Sequence, residues 1–265
     1  MNTEPLTTSL NENAVTITRV ADNQWHAVDD NRTVGRTFAE HRPDGRLFVS
    51  IDAWHDTIFD RLAEAMLAEL PTPLYTVVDE ADAELTACWQ RAGFTIRRRE
   101  FEFTVPTDPR ATGLEQAQPP AGVTIVPAEQ ADENLLRAAD RAIREEVDAA
   151  VGWWQTMPAE LIPRPEDEDT GAGPSTYAVA ATPDRYLGLI RVETVHHPRI
   201  ALVAVRAGEQ RRGIARALLA HALGTLRHDG HSTAWAEVHE ANHAAAALFK
   251  SVGAQPVGSN LELVR

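Results

Sequence analysis

Apolar residues along this chain follow helix-like and strand-like spacings in a fixed succession, and the succession occurs twice. Ile58, Phe59, Ala63 and Met66 fall at helical spacing. Leu74-Tyr75-Thr76-Val77-Val78 is a strand-like run, and Leu85, Trp89 and Gly93 mark a second helix that ends on a glycine. A constant offset of 160 carries these onto Leu218, Leu219, Leu223 and Leu226, then Ala234-Trp235-Ala236-Glu237-Val238, then Ala245, Phe249 and Gly253. Val15-Thr16-Ile17 opens the first copy as Val123-Thr124-Ile125 opens the second. The pattern predicts a tandem repeat of an α/β (α+β) unit.

The halves also differ. Leu47-Phe48-Val49-Ser50 matches Leu202-Val203-Ala204-Val205 at an offset of 155, so the first half is expected to lack five residues before its first helix. The second half inserts about fifty residues, Pro127 to Thr176, with helical patterning over Asn134–Val147. Residues 1–13 read as a loose polar tail, 14–106 as the first domain and 122–265 as the second. The stretch 107–121, with three prolines and no apolar periodicity, reads as a linker.

Composition narrows the function. The 265 residues carry a net charge of −14, which repels nucleic acid and anionic lipid and favours a small cationic partner. The single cysteine, Cys88, permits no internal disulfide and reads as core. No apolar stretch nears the roughly 20 residues of a membrane span, and no signal-like segment opens the chain, so a cytoplasmic protein is expected. His196-His197 before Pro198 reads as a turn, and no metal site is expected.

Against the acidic background, one segment is basic. After Ile200–Val205 come Arg206, Arg211, Arg212 and Arg216 with only Glu209 opposing them, and then an Ala/Leu-rich helix. Strand, turn and helix N-terminus in that order direct backbone N–H groups at one point, and the small Gly213 and Ala215 let an anion approach. Gln210-Arg211-Arg212-Gly213-Ile214-Ala215 resembles the pyrophosphate loop of the GCN5-related N-acetyltransferase (GNAT) superfamily, Gln/Arg-x-x-Gly-x-Gly/Ala. Asn242, Ala245, Leu248, Phe249 and Gly253 resemble its later element, Asn-x-x-Ala-x-x-Leu-Tyr/Phe-x-x-x-Gly. The full resemblance covers roughly Ala121 to Arg265. Residues 14–106 resemble a degenerate copy, expected to bind no cofactor, with Asp82 in the place of Asn242.

The resemblance implies acetyl-CoA-dependent acetylation of a primary amine by a monomer or homodimer. It implies that Val203 and Val205 pair with the pantetheine arm and that the amides of Arg211, Arg212, Gly213, Ile214, Ala215 and Arg216, beside Gln210, hold the pyrophosphate. Asn242 would bond the pantetheine and Phe249 would lie beside the thioester. Where many relatives carry a tyrosine acid this chain has Phe249, which has no proton to give. For the base, Glu237, His239 and Glu193 are candidates, each of which also reads as a solvated strand-end residue. The acceptor is expected to meet the insert. From Glu145 to Asp169 it holds eight acids against Arg164, and Trp153 and Trp154 lie among them. Glu145, Glu146, Asp148, Trp153 and Trp154 are therefore the expected acceptor contacts, for a cationic amine of aminoglycoside type. An amino acid, a polyamine, a mycothiol-type amine, a protein N-terminus, or a non-catalytic acetyl-CoA-binding module are the alternatives.

Overall fold

The computed structural model describes residues 15–42, 45–150, 175–194 and 197–265. They form two compact units. The first runs to Arg97 and includes Leu261–Arg265; the second is Arg98–Asn260. The division thus falls nine residues before the expected end of the first domain, inside a strand, and the chain's last five residues return to the first unit.

In the first unit the elements are β1 (Thr16–Ala21), β2 (Gln24–Asp29), β3 (Arg32–His41), β4 (Leu47–Ala53), α1 (Asp56–Glu69), β5 (Leu74–Asp79), α2 (Ala83–Arg91) and the start of β6 (Thr95–Pro106). β1 to β4 form an antiparallel meander, and β4 pairs in parallel with β5 at Leu47↔Leu74 and Phe48↔Tyr75. On the far side of β5, Leu74 exchanges both backbone hydrogen bonds with Arg265, at 2.9 and 3.0 Å. The α1 face of this sheet is the core. Ile58, Leu62 and Met66 project from α1 at helical spacing onto Trp25, Leu47 and Leu74, and Leu261 and Leu263 complete the cluster. Trp89 from α2 packs edge-on against Phe59 and Phe94, with centroids 5.0 and 4.8 Å away.

The second unit holds the rest of β6, a single helical turn α3 (Pro109–Thr112), β7 (Thr124–Pro127), α4 (Glu133–Ala150), β8 (Ser175–Ala181), β9 (Tyr186–Glu193), β10 (Arg199–Val205), α5 (Ile214–His228), β11 (Thr233–His239), α6 (His243–Ser251) and most of β12 (Gln255–Val264). Its strand order is β6-β11-β10-β9-β8-β7. The buried face of α5 (Ile214, Leu218, Leu219, Ala222, Leu223, Leu226) covers one side of the sheet against Ala234, Ala236 and Val238. Ala139 and Ile143 of α4 cover the other, against Val179, Leu189, Ala201 and Leu202.

The repeat is structural. α2 begins at Ala83 and α6 at His243, the same offset as in the sequence, and each has its capping side chain one residue before. Asp82 accepts from the Leu85 N–H at 2.9 Å, and Asn242 from the Ala245 N–H at 3.1 Å. The first half has a two-residue turn between β1 and β2 where the second carries α4.

Two sequence expectations change. Strand pairing equates Phe48, opposite Tyr75, with Arg199, opposite Trp235, an offset of 151 rather than 155. The first half is therefore short by nine residues at that point (151 against 160), not five. A run of apolar residues matches itself at any even shift, because strand side chains alternate with period 2, so similarity alone does not fix the offset. Two residues join β4 to α1, whereas eight join β10 to α5. The stretch expected to be a linker packs on the second unit. Asp108 caps α3, Gly113 ends it at φ +63°, and Leu114 enters the core at 5% exposure.

Leu263→Ala should destabilise the first unit by about 2–5 kcal/mol, the cost of a core cavity, although the residue lies far beyond Arg97 in the chain. Urea denaturation followed by circular dichroism measures it; an unchanged midpoint would show that these C-terminal residues are not part of that core.

Candidate functional site

β10 is bonded unequally on its two sides. Toward β9 it is antiparallel from Arg199↔Glu193 to Val205↔Gly188, with a bulge at Ala201, and the Arg206 N–H donates to Leu187 O at 2.8 Å. Antiparallel ladders alternate bonded and non-bonded pairs, so Val205 and Val203 are non-bonded positions toward β9. Their backbone groups point away from β9, toward the side of β11. There the parallel pairing with β11 is at Arg199↔Trp235, the first residue of β10. The Val205 carbonyl accepts from Gln210 Nε2 at 3.2 Å. The close approach across the strands explains Gly188, where a Cβ would lie 2.6 Å from the Ala204 carbonyl oxygen.

The connection to α5 is a tight cradle. A 3-10 turn over Ala207–Glu209 leads to Gln210; Arg211 then adopts φ +63° and Gly213 φ +89°. Gly213 is the N-cap of α5 and supplies no side-chain cap. Helix geometry leaves the N–H groups of Ile214, Ala215 and Arg216 without intrahelical acceptors, at the positive end of a 15-residue helix. Such a terminus binds an anion through backbone groups.

The arginines of this loop are mostly braced by the protein. Arg212 pairs with Glu209, which also holds Arg185 at 3.0 Å. Arg216 donates to Ser251 Oγ at 3.2 Å and to the Gly113 carbonyl at 3.3 Å. Arg206 Nε donates to Glu146 Oε1 at 2.7 Å, and the Ala207 N–H donates to Glu146 Oε2 at 2.6 Å. Burial pushes the Glu146 carboxyl up, but the Ala207 N–H and the Arg206 guanidinium outweigh it and hold it below the usual carboxylate range. Glu146, expected at the acceptor, is thus bonded to the loop. Glu145 and Asp148 are exposed on α4, and Trp153 and Trp154 lie outside the described residues.

The three candidate bases share the α4 side of the sheet, and two of them, Glu237 and Glu193, meet around Arg199, a residue the sequence does not single out. Arg199 donates to Glu237 at 2.6 Å and faces Glu193 at 3.6 Å, and Arg191 faces the other oxygen of Glu193 at 3.4 Å. Glu193 lies level with Arg199 in the β9–β10 register, where β10 and β11 are paired. Glu237 lies two residues farther along β11. His239 is 7% exposed, and its Nδ1 accepts the Ala241 N–H at 3.0 Å, so the neutral ring carries its proton on Nε2. Arg199 could have been sought from sequence as the cation at the start of an otherwise apolar strand.

Asn242 spends its Oδ1 on the α6 cap and keeps its Nδ2 donors, which Asp82 lacks. Phe249 is 3% exposed and stacks on Phe103 at 6.2 Å, within the core. Among the described residues no group of three or more His, Cys, Asp or Glu is placed to hold a metal ion, and no helix is long and apolar enough to cross a membrane.

Residues 140–254 match the model of the Acetyltransferase (GNAT) family. A stretch of 51 residues is 45% identical to the [Ribosomal protein bS18]-alanine N-acetyltransferase of Escherichia coli (strain K12). It spans 19% of this chain and about a third (34%) of that protein. Among solved structures, a GCN5-related N-acetyltransferase from Sphaerobacter thermophilus aligns over 94% of this chain and 82% of its own, at TM-score 0.60 and 18% identity. A tandem GNAT protein from the clavulanic acid biosynthesis pathway aligns over 95% of this chain and 83% of its own, at TM-score 0.65 and 15% identity.

Two stability outcomes follow from these contacts. Asn242→Ala should cost about 0.5–2 kcal/mol in urea denaturation, and Asn242→Asp almost nothing, because an aspartate caps the same position in the first unit. Glu146, with its pKa lowered by folding, adds stability that is complete above the ordinary carboxylate range and is lost as pH falls through the lowered value. Thermal midpoints of wild type and Glu146→Gln should therefore differ near neutral pH and converge in acid; a constant gap would count against the ion pair.

Proposed function

We propose, from the premise that this chain belongs to the GNAT family of acetyl-transferring enzymes, that its second unit acetylates a primary amine of a small cationic molecule with acetyl-CoA as donor. The observation that carries the reading is the outward-facing backbone of Val203 and Val205 on β10, leading into a loop that ends at an uncapped helix N-terminus. The open strand edge suits the two amides of a pantetheine arm, which would lie along it as an added strand. The N–H groups of Ile214, Ala215 and Arg216, with Arg211 beside them, suit the pyrophosphate. The Nδ2 group of Asn242 has donors for a pantetheine carbonyl. Bound acetyl-CoA would supply an activated acetyl group; the chain must hold the acceptor's amine in position, take up its proton, and give the carbonyl oxygen a polar setting.

Glu237 is the best-supported base. It lies beyond the paired ends of β10 and β11, its side chain is 25% exposed, and Arg199 fixes its orientation. Glu193 sits where those strands are paired, its two oxygens engaged by two different guanidiniums. His239 contributes an N–H, not a lone pair. Since Phe249 is buried and carries no proton, either another group protonates the departing sulfur or CoA leaves as a thiolate stabilised by its surroundings.

For the acceptor, the acids of the insert and the carboxylates on the α4 face favour a cation. An aminoglycoside-type amine is the class to test first, since acetylation would cancel an ammonium charge such a drug uses to bind its target and so confer resistance. The short match to a ribosomal-protein alanine acetyltransferase favours a second reading, a protein N-terminal amine.

A thiol-release assay with acetyl-CoA and a panel of aminoglycosides, polyamines, amino acids and N-terminal peptides decides between them. Turnover on aminoglycosides supports the leading reading; turnover on peptides alone replaces it with the second. Glu237→Gln should lower kcat by about 10²–10⁴-fold with the fold intact, the usual contribution of a positioned base. Arg212→Ala combined with Gly213→Asp should abolish saturation by acetyl-CoA, because it adds a negative side chain and a strained φ at the anion site.

A further inference from the structure

We infer that Glu146 is a positioning residue for the donor loop: it fixes where the chain leaves β10, and thereby sets the affinity for the acyl donor. The inference rests on the reading of this loop as the acetyl-CoA site.

The geometry is specific. Glu146 lies in the last third of α4, on a helix whose Ala139 and Ile143 anchor it to the sheet. Its two carboxylate oxygens take two different donors from consecutive residues, Arg206 Nε at 2.7 Å and the Ala207 N–H at 2.6 Å. Those are the first two residues after β10. Behind Arg206, its own N–H is bonded to Leu187 O at 2.8 Å. The chain is therefore held from both sides at the point where strand turns into loop, and the 3-10 turn begins from a fixed direction.

A second carboxylate, Glu209, does the same farther on, holding Arg212 and Arg185. With both braces in place, the orphan N–H groups of α5 and the outward groups of Val203 and Val205 keep a fixed spacing. A donor bound at both ends needs that spacing. A negative side chain so near a phosphate site would repel the ligand if it were alone. Here Arg206 neutralises it, and two charge-assisted bonds keep it in place. The first unit makes the same strand-to-helix turn with two residues and has no helix equivalent to α4, so it has neither the loop nor the brace.

The test uses the full chain with Glu146→Ala, which removes both bonds, and Glu146→Gln, which keeps an acceptor for the Ala207 N–H but loses the ion pair. CoA binding by calorimetry, steady-state kinetics, and amide hydrogen exchange of residues 206–213 without ligand are measured. The expected result is at least a tenfold loss of CoA affinity and a matching rise in KM for acetyl-CoA in Glu146→Ala. Its kcat stays within about threefold, its loop exchanges faster, and Glu146→Gln is partly restored on all counts. Unchanged CoA affinity and loop exchange in a folded Glu146→Ala protein would overturn the inference. So would a fall in kcat with KM for acetyl-CoA unaltered, which would return Glu146 to the acceptor side. If wild type binds no CoA at all, the functional reading fails; the exchange arm still decides whether Glu146 holds the loop.

Discussion

The second unit is organised around the parting of two parallel strands. β10 and β11 are registered at Arg199 and Trp235, at the start of β10, and beyond that point the strand partner of β10 among the described residues is β9. A half-buried strand whose backbone lacks a strand neighbour on one side needs other partners for those groups. Every feature of the candidate site answers that constraint. The Gln210 amide reaches back to the Val205 carbonyl, the loop folds over the end of the strand, and α5 begins with its N–H groups turned to the same place. The proposed donor, a strand-like arm at one end and an anion at the other, would suit that arrangement.

The electrostatics of the loop differ from what its composition suggests. Four arginines against one glutamate look like a cationic patch, yet three of them are held by carboxylates, hydroxyls or carbonyls of the protein. Arg211, exposed and at positive φ, is the arginine of the segment with no such brace among the described residues. Under the proposed reading, the attraction for an anion would come largely from backbone N–H groups and the helix terminus, with the arginine side chains acting mainly as struts. Arg199 is likewise a strut, holding Glu237 and Glu193 in fixed orientations.

What the sequence disclosed, and what it did not, follows from the range of each interaction. The repeat was legible at α1, α2 and β5 because helical spacing and the closing glycines impose a register that tolerates no slip. At β4 the alternation of a short apolar strand tolerates even shifts, and the offset came out wrong by four residues. The motif positions from Gln210 to Arg216 were legible because a strand–turn–helix is local. The roles of Glu146 and Arg199 were not. Each depends on a partner from another element, 60 residues away for Glu146 and 38 for Arg199, that only the folded sheet brings near. Asn242 was read for its amide, whereas half of that amide is occupied by capping α6.

The return of the last residues to the first unit has a kinetic consequence. Leu261 and Leu263 fill a core whose other members all lie at or before Phe94, so that core closes only across the whole of the intervening chain. Loops of that length close slowly, and contacts so distant in sequence form late. On a ribosome, the first unit would emerge with β5 carrying an unpaired edge and would wait, unfinished, for the whole of the second to be synthesised. The half that comes first in the chain would therefore complete its core only once the second has been synthesised.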